Sequence, residues 1–306
     1  MAADGKPGSD ERDGVSLTNL DQPLFADAGA TKRDLVDYLD AVAMPMIAGL
    51  RDRPLSVIRA LRGQDPFMQK NLPKYAPPWI RTVSQWAQAS GREVKYALCD
   101  DRRTLLWFAN QRAIEYHPAL IRTGRWDRQT HLILDIDPPA ADGSFALAVR
   151  AAHLVRQALA DAGLAGVVKT SGAKGLHVFV PLEPRYTYEQ VRSFAEALAT
   201  LGAAERPDLF TTPRSVARRE KGKVYFDWQQ IARGKTISAP YVLRAYPGAP
   251  VATPLAWREV TKRLNPEQFH IRNVLPRFDR VGDLFSPVLG STQEMEPALQ
   301  KLSVNL

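Results

Sequence analysis

The sequence predicts a protein of the α/β class, in the mixed α+β sense, and two observations predict it. Short apolar runs alternate with longer amphipathic stretches along the chain, which is the pattern of strands separated by helices. No Gly/Ser-rich linker and no internal repeat divides the 306 residues. We therefore expect one compact unit whose elements share a sheet-based core.

The N-terminal third is predicted to begin with a tail and to continue with a helix. Residues 1–14 lack the apolar stretch of a signal peptide and are predicted to be disordered, which leaves 15–306 as the folded domain. The stretch Thr31-Lys32-Arg33-Asp34 is typical of a capping box, so a helix should follow it to about Leu50. Pro45 is expected to kink that helix, because proline lacks the backbone N–H group.

The remaining elements follow from the same patterns. Strands are predicted at Leu55–Leu61 and Glu93–Cys99, and a helix is predicted at Arg102–Tyr116, ending before His117-Pro118. Next come a strand at 131–137, a helix at 144–162, strands at 166–170 and 175–181, a helix at 187–202, a strand at 223–227, and short helices joined by proline-rich loops.

Charge and cysteine content narrow the function. Lys and Arg outnumber Asp and Glu by 41 to 33, which favours a polyanionic partner such as nucleic acid, although a solvated basic face would give the same excess. The excess is concentrated in residues 205–235. No apolar run approaches the roughly 18–20 residues of a membrane span. The lone cysteine, Cys99, fits a reducing cytoplasm and is interpreted as a core residue rather than a nucleophile.

Three carboxylates lie at the ends of predicted strands. The stretch L-I-L-D-I-D-P-P ends in Asp135 and Asp137, which share one strand face about 6–7 Å apart. Asp227 ends the apolar stretch V-Y-F-D. Three such groups can hold two hard cations, Mg²⁺ or Mn²⁺, for phosphoryl transfer. A solvated turn for the first pair, or a strand-end charge beside Arg or Lys for Asp227, remains an alternative.

A glycine-bracketed turn between two apolar strands predicts a different chemistry. Thr170-Ser171-Gly172-Ala173-Lys174-Gly175-Leu176-His177 can direct backbone N–H groups and polar side chains towards an anion. It is not a Walker motif, which requires G-x-x-x-x-G-K-[ST]. As an isolated hairpin turn it would be unremarkable, and a lone strand histidine is more often structural than functional.

Together these motifs, in the order L-D-I-D-P-P, T-S-G-A-K-G-L-H and K-V-Y-F-D-W, resemble the polymerase domain of bacterial DNA ligase D. That domain is a branch of the archaeo-eukaryotic primase superfamily. The resemblance runs from about Val15 to Asp283 and includes the stretches L-T-N-L-D, P-F-M-Q-K and S-A-P-Y-V-L-R. It implies a primase-type catalytic core over 15–306, with an RRM-like sheet module and an N-terminal α/β module.

The resemblance also implies roles for individual residues. Asp135, Asp137 and Asp227 match the metal-binding triad, which holds two Mn²⁺ (or Mg²⁺) ions. The positions that match nucleotide-binding residues are His117, Ser171, Lys174, His177, Arg218 (or its neighbour Arg219), Gln230 and Arg244.

The residues that would hold DNA include two departures from the family pattern. Asn19 and Lys32 match a pocket for the downstream 5′-phosphate, but Gln22 replaces a lysine of that pocket. Near the template, Phe67 and Lys70 match DNA-contacting positions, whereas Met68 replaces a second phenylalanine. We expect these changes to alter substrate geometry and to leave the chemistry unaffected.

The resemblance predicts a template-directed nucleotidyltransferase that fills short gaps at DNA breaks and prefers ribonucleotides. Its predicted partners are gapped or broken DNA with a downstream 5′-phosphate, NTP or dNTP, Ku and a DNA ligase. We expect a monomer at the nucleoid of a bacterial cytoplasm, with no membrane contact, and favour a stand-alone polymerase over an excised domain. Three alternatives remain: a non-catalytic gap- or end-binding repair protein, a D-x-D nucleotide-sugar glycosyltransferase, and a metal-dependent nuclease.

Overall fold

The computed structural model describes residues 10–87 and 91–301. The chain begins with two short hairpins, β1 (Asp10–Arg12) with β2 (Val15–Leu17) and β3 (Pro23–Phe25) with β4 (Ala30–Thr31). The prediction of a disordered tail is therefore wrong for residues 10–14, and its first nine residues lie outside the described ranges. The first hairpin is held in place because the Arg12 guanidinium donates to Asp37 and Asp40, at 2.6 and 3.2 Å.

The predicted first helix consists of two helices. Helix α1 (Lys32–Ala41) begins at the capping box, in which Thr31 and Asp34 exchange hydrogen bonds. Helix α2 (Ala43–Leu50) follows after a break at Val42. Pro45 lies in the first turn of α2, where its missing N–H would have had no helical partner. The proline therefore marks the start of a new helix rather than a kink within one.

A five-stranded sheet follows, with its strands at β5 (Leu55–Arg59), β6 (Phe67–Gln69), β7 (Thr82–Ala87), β8 (Arg92–Ala97) and, after α3 (Arg102–Asn110), β9 (Ala113–Pro118). The prediction of one helix over Arg102–Tyr116 is wrong in its second half. Arg112 adopts a left-handed backbone with φ of 61°, which ends the helix and reverses the chain. The whole of β9 is buried and pairs antiparallel with β5, so tertiary pairing outweighs local helix propensity there.

The central sheet has six strands in the order β13-β14-β10-β12-β11-β15. Its elements are β10 (His131–Asp137), α4 (Phe145–Asp161), β11 (Val167–Thr170), β12 (Leu176–Pro181), α5 (Tyr188–Glu205), β13 (Phe210–Thr211), β14 (Val224–Asp227) and β15 (Pro254–Leu255). Taken as β10-α4-β11-β12-α5-β14, this is the βαββαβ arrangement of an RRM-like module. The predicted fold class is confirmed.

Three short helices follow at the C-terminal end, α6 (Val274–Val281), α7 (Ser286–Gly290) and α8 (Glu296–Lys301). One continuous apolar core runs through both sheets and these helices. Cys99 has no exposed surface within it, as predicted for a core residue. Among the described residues, no helix has the length and hydropathy needed to cross a membrane.

The alternation of side chains along β10 determines which residues reach the site. Leu132, Leu134 and Ile136 share one face of the strand and are fully buried. Asp135 and Asp137 point to the other face, where the strand gives way to Pro138. The carboxylates thus lie at the end of a strand that is otherwise anchored in the core.

Candidate active site

A row of polar side chains crosses four neighbouring strands of the central sheet. Asp135 on β10 lies directly opposite Asp227 on β14 and opposite His177 on β12. His177 in turn lies opposite Lys169 on β11. Because directly paired residues lie on the same face of a sheet, the row Lys169, His177, Asp135 and Asp227 is a single feature, which we call the polar row.

A cavity of about 860 Å³ opens beside the polar row. Its walls include both carboxylates of β10. The third, Asp227, lies opposite Asp135 on the neighbouring strand and does not itself line the cavity. The predicted nucleotide-binding residues that line this cavity are His117, Ser171, Lys174, His177, Gln230 and Arg244. The structure therefore brings six of the seven predicted positions together, although they come from distant parts of the chain.

The carboxylates of the site hold their protons unusually tightly. Burial raises the pKa of Asp135 to about 6. Burial, together with the neighbouring charges of Asp135 and Asp227, raises the pKa of Asp137 to about 7. The pKa of Asp227 is raised for the same two reasons. Buried acids that lie close together repel one another's charge, which favours their protonated forms.

The pKa values of Lys169 and His177, the two basic side chains of the polar row, are shifted in the opposite direction. Burial, reinforced by Arg244, lowers the pKa of the Lys169 ammonium well below its usual value. Burial and the nearby charges of Lys169 and Arg244 do the same to the pKa of His177. The histidine is therefore neutral, and its Nε2 lies 3.3 Å from Asp135 Oδ1 without the alignment of a hydrogen bond.

These residues fit a divalent metal ion. Asp135 Oδ1 is a buried oxygen with no hydrogen-bond partner, and carboxylate oxygens are the ligands that Mg²⁺ and Mn²⁺ prefer. Within the described ranges, no group of three or more His, Cys, Asp or Glu side chains is arranged so that it could hold a metal ion by itself. The assignment of Asp135, Asp137 and Asp227 as ligands of two metal ions therefore stays a prediction.

The turn Ser171–His177 packs closely against β10 and against the loop that contains Ala252. A Cβ atom at Gly175 would lie 2.5 Å from the Ile136 carbonyl oxygen. A Cβ atom at Gly172, where φ is +72°, would lie 2.8 Å from the Ala252 nitrogen. Only glycine fits at either position, so the two glycines bring this turn to the carboxylates.

Within the turn, Ser171 has a structural task in addition to the predicted one. Its Oγ accepts hydrogen bonds from the backbone N–H groups of Ala173 and Gly175, at 3.1 and 3.0 Å. Those two N–H groups are therefore occupied, which differs from the expectation that the backbone faces an anion. The Ser171 hydroxyl proton and the exposed Lys174 ammonium remain as donors towards the cavity.

Glu115 is a functional candidate that the sequence reasoning missed. Its carboxylate, only 2% exposed, accepts from His117 Nε2 at 2.7 Å, Arg244 Nε at 2.8 Å and the Ala245 N–H at 2.8 Å. The Arg244 Nη1 also donates to the Ser171 carbonyl oxygen. Glu115 thus orients two predicted nucleotide-binding residues at once. The only sequence signal was its place two residues before His117, inside the stretch assigned to a helix.

Lys169 is a second functional candidate that the sequence reasoning missed. The sequence signal for it was a charged residue inside the apolar stretch V-V-K-T. The side chain is fully buried, and its Nζ donates to Ser238 Oγ and to the Thr170 carbonyl, each at 3.2 Å. Its charge acts on Asp135 and lowers that residue's pKa against the larger effect of burial. Lys169 is thus linked electrostatically to Asp135, although burial lowers the pKa of the lysine and raises that of the aspartate.

The two arginines offered as alternatives differ in their surroundings. Arg218 is exposed and does not line the cavity. Arg219 packs its guanidinium 3.4 Å from the ring centre of Tyr225, and its charge lowers the pKa of Asp137 against burial. Tyr225 in turn donates to Asp227 Oδ1 at 3.1 Å. Arg219 is therefore the better placed of the pair.

The residues of the predicted 5′-phosphate pocket lie in the N-terminal module. Asn19 is exposed, whereas Lys32 is buried and donates to the Thr18 carbonyl and to Asn110 Oδ1, at 2.6 and 2.7 Å. Burial and the nearby Arg112 lower the pKa of Lys32 to about 8. Arg112 also donates to Gln22 Oε1 at 3.0 Å. A cation that the sequence reasoning missed thus lies beside the glutamine that replaces a lysine.

The predicted DNA-contacting residues form a small exposed surface. Phe67 and Met68 lie on β6 and are 38% and 46% exposed, and Lys70 just beyond the strand is exposed as well. Met68 lines the active-site cavity. The replacement side chain is thus the one that faces the site, and a flexible thioether can pack against a base or sugar there.

Comparison with known proteins identifies the family of this chain. The family model "LigD, primase-polymerase domain" matches residues 31–285. The chain is 35% identical over 271 residues to the bifunctional non-homologous end joining protein LigD of Bacillus subtilis, covering 88% of the chain and 43% of that protein. It is 33% identical over 287 residues to the multifunctional LigD of Mycolicibacterium smegmatis, covering 92% of the chain and 37% of that protein. The chain thus spans less than half the length of these relatives.

A solved structure has the same fold. The polymerase domain of Mycobacterium tuberculosis ligase D, in complex with DNA, superposes with a TM-score of 0.84 at 32% identity. The match covers 91% of this chain and 99% of that domain. The family model, the relatives and the shared fold together show that the chain belongs to the family of LigD primase-polymerase domains and, with that family, to the DNA-directed nucleotidyltransferases.

Proposed function

We propose that this chain extends a primer strand across short gaps at DNA breaks, by transferring nucleotides from triphosphates to the 3′-hydroxyl. One observation carries the proposal: the pairing of Asp135 with Asp227 across adjacent strands, with Asp137 beside them and the Ser171–His177 turn on the next strand. Three carboxylates next to a cationic cradle suit a reaction in which negative charge accumulates on phosphate oxygens.

The carboxylates of Asp135, Asp137 and Asp227 would hold two Mn²⁺ or Mg²⁺ ions. Such ions lower the pKa of an attacking hydroxyl and stabilise the charge on leaving oxygens. The raised pKa values of the carboxylates support this assignment, because cation binding would relieve the mutual repulsion that raises them. No side chain has to act as general base, since water can accept the proton.

The cationic side of the cavity would hold the triphosphate. Lys174 and Arg244 supply fixed positive charge, and the Ser171 hydroxyl supplies a neutral donor. Glu115 holds Arg244 and His117 in place, so both are oriented before the nucleotide arrives. Gln230 lines the same cavity and would approach the nucleotide sugar, where a preference for ribonucleotides would be set.

The DNA partner is proposed from the relatives and from charge. The similar domain of M. tuberculosis was solved with DNA, and this chain carries a formal net charge of +8. Asn19, Lys32 and Arg112 would contact the downstream 5′-phosphate, whereas Phe67, Met68 and Lys70 would contact the template. By analogy with the LigD relatives, Ku and a DNA ligase would be partners at the break in a bacterial cytoplasm.

Primer extension on gapped DNA, in Mn²⁺ and with NTP and dNTP in parallel, tests the proposal. We expect Asp135→Asn and Asp227→Asn to lose at least about 10³-fold in extension rate, as expected for removal of a metal ligand, while binding to gapped DNA measured by anisotropy persists. Asp142→Asn, an exposed aspartate just beyond β10, is the matched control. Extension at the wild-type rate by either active-site variant would refute the mechanism. If the unaltered protein binds gapped DNA but extends no primer, it is a non-catalytic gap-binding protein.

A further inference from the structure

A second cavity, of about 640 Å³, lies at the opposite end of β10 from the carboxylates. It is lined by Arg53, Arg122, Arg125 and Arg128, and we call it the arginine cavity. His131, the first residue of β10, also lines it. The six-residue rise from His131 to Asp137 separates the two cavities by about 20 Å. The arginine cavity is therefore not part of the site described above.

The protein neutralises the positive charge of the arginine cavity only in part. Within the described ranges, the side chains of Arg122 and Arg125 form neither an ion pair nor a hydrogen bond, and Arg53 forms no ion pair. One acid, Asp52, lines the cavity as well; it pairs with Arg81 at 3.2 Å, and its charge raises the pKa of Arg53 against the larger effect of burial. Asp127 pairs with Arg128 at 3.6 Å. The four arginines thus outnumber the acids beside them.

The excess of positive charge is energetically unfavourable at Arg53, because this side chain is buried. Its guanidinium is only 3% exposed and donates to the carbonyls of Ala119 and Ile121 and to Thr130 Oγ1, which are all neutral acceptors. Burial and the adjacent Arg122 lower its pKa to about 9. Among the described residues no carboxylate lies within ion-pair distance of this guanidinium, and the charge of Asp52 offsets its burial only in part. Burying an unpaired cation is unfavourable, and a bound anion would offset this cost.

The cavity also offers neutral donors of the type that accompany arginines around phosphate. The hydroxyls of Thr123 and Thr292 line it and have no hydrogen-bond partner within residues 10–87 and 91–301. His131 is neutral, because burial and the charges of Arg53 and Arg122 lower its pKa. The cavity thus combines fixed guanidinium charge, free hydroxyl groups and room for more than one phosphate group.

We propose that the arginine cavity is a second phosphate-binding site, which takes a polyphosphate or backbone phosphates of DNA independently of the nucleotide site. The proposal does not depend on the nucleotidyl transfer reaction, because both of its tests measure binding. The two sources share one chemistry, an array of phosphate oxygens recognised by guanidinium groups.

The first test is calorimetric titration of the full chain with inorganic tripolyphosphate. Two sites are expected, one in each cavity, and Arg122→Ala/Arg125→Ala should retain only one. Lys174→Ala should weaken the other site and leave the arginine cavity intact. The affinity of the affected site should fall at least about tenfold, the loss typical of a removed charged hydrogen bond. Arg258→Ala/Lys262→Ala, which removes two exposed charges elsewhere, is the matched control.

The second test measures binding to gapped DNA over a salt series. If DNA phosphates occupy the arginine cavity, the Arg122→Ala/Arg125→Ala variant should reduce the slope of log K against log salt by about 1.8, or 0.9 for each lost contact. A loss in either test, absent from the control pair, supports the proposal and identifies the source of the phosphate. If both tests give wild-type behaviour, or if the control pair loses as much, the proposal is overturned.

Discussion

At the scale of single residues, the buried carboxyl group of Asp137 should lower the stability of the folded protein as the pH rises. Its pKa is raised from the ordinary value of 3.8 to about 7, first by burial and then by Asp135 and Asp227. An acid with a raised folded pKa favours folding below its unfolded pKa and loses that contribution as pH rises through the folded pKa. The metal-free protein should therefore lose stability between about pH 4 and pH 7.

We expect Asp137→Asn to stabilise the metal-free protein, because the amide cannot acquire the buried charge. The gain in the free energy of unfolding should be larger at pH 8 than at pH 5, by about 2 kcal/mol. Thermal unfolding in EDTA would register this as a difference of about 5 °C between the gains at the two pH values. Added Mn²⁺ should stabilise the wild type and so reduce the difference in unfolding temperature between the variant and the wild type at pH 8. The exposed Asp65→Asn is the control, and an equal gain at both pH values would contradict the electrostatic account.

At the scale of elements, the turn Ser171–His177 depends on two glycines that are needed for different reasons. Gly172 requires a left-handed backbone as well as space beside Ala252, whereas Gly175 requires only space beside the Ile136 carbonyl. The contact at Gly175 joins the turn to the strand that carries the carboxylates. The distance between these two parts of the site is thus determined by backbone packing rather than by side chains.

Gly175→Ala should therefore damage catalysis more than stability. The added methyl group must push the turn away from β10 and from Asp137 Oδ1, which would lie 3.1 Å from it. Since a displacement of about 1 Å can cost about 10²-fold in rate, we expect that loss in primer extension while the far-ultraviolet circular dichroism is retained. Gly49→Ala, where the new Cβ would have ordinary contacts at 3.6 Å, is the control. Wild-type extension by Gly175→Ala would show that the turn is free to shift.

The elements that the sequence predicted well are those whose signal is local. The strand at 131–137 and the helices around it follow from periodicity, and the structure has them within a few residues of the predicted bounds. The strand β9 could not be predicted in this way, because its strand state depends on pairing with β5. Glu115 lies in β9. Because that segment was predicted to be helical, the position of Glu115 beside His117 and Arg244 could not be recognised.

The candidate site divides in a similar way. Carboxylates at strand ends and a glycine-bracketed turn are visible as motifs, and the structure brings them together. Lys169 and Arg112 could not be identified, since their significance comes from which strand or hairpin lies beside them. Residues whose roles arise from contacts distant in sequence require the fold before they can be recognised.

At the scale of the whole molecule, the N-terminal hairpins and the five-stranded sheet meet at Arg112. Its guanidinium donates to the Ala60 carbonyl at 2.6 Å, to Gln22 Oε1 at 3.0 Å and to the Pro23 carbonyl at 3.3 Å. It therefore connects the two parts of the chain between which the downstream end of a gap would lie. The Arg112 guanidinium also lies near Lys32. Burial is the larger cause of the lowered pKa of Lys32, and the charge of Arg112 is the second.

We expect Arg112→Ala to weaken the recognition of a downstream 5′-phosphate. Binding to gapped DNA that carries this phosphate should fall by about tenfold, the usual loss for one charge-assisted contact, whereas binding to the 5′-hydroxyl gap should change little. Arg51→Ala, an exposed arginine at the end of α2, is the control. An equal loss for both DNA ends would instead indicate that Arg112 serves only to hold the hairpins in place.

The register of the polar row has a consequence for how this protein can change through insertions and deletions. Loss or gain of one codon within β10 would exchange the two faces of the strand, so that Leu134 and Ile136 would replace the carboxylates at the site. A single substitution changes one side chain of the site, whereas such an indel moves both carboxylates of β10 away from it at once. The segment 131–137 should therefore tolerate amino-acid exchange at its apolar positions far better than any change of length.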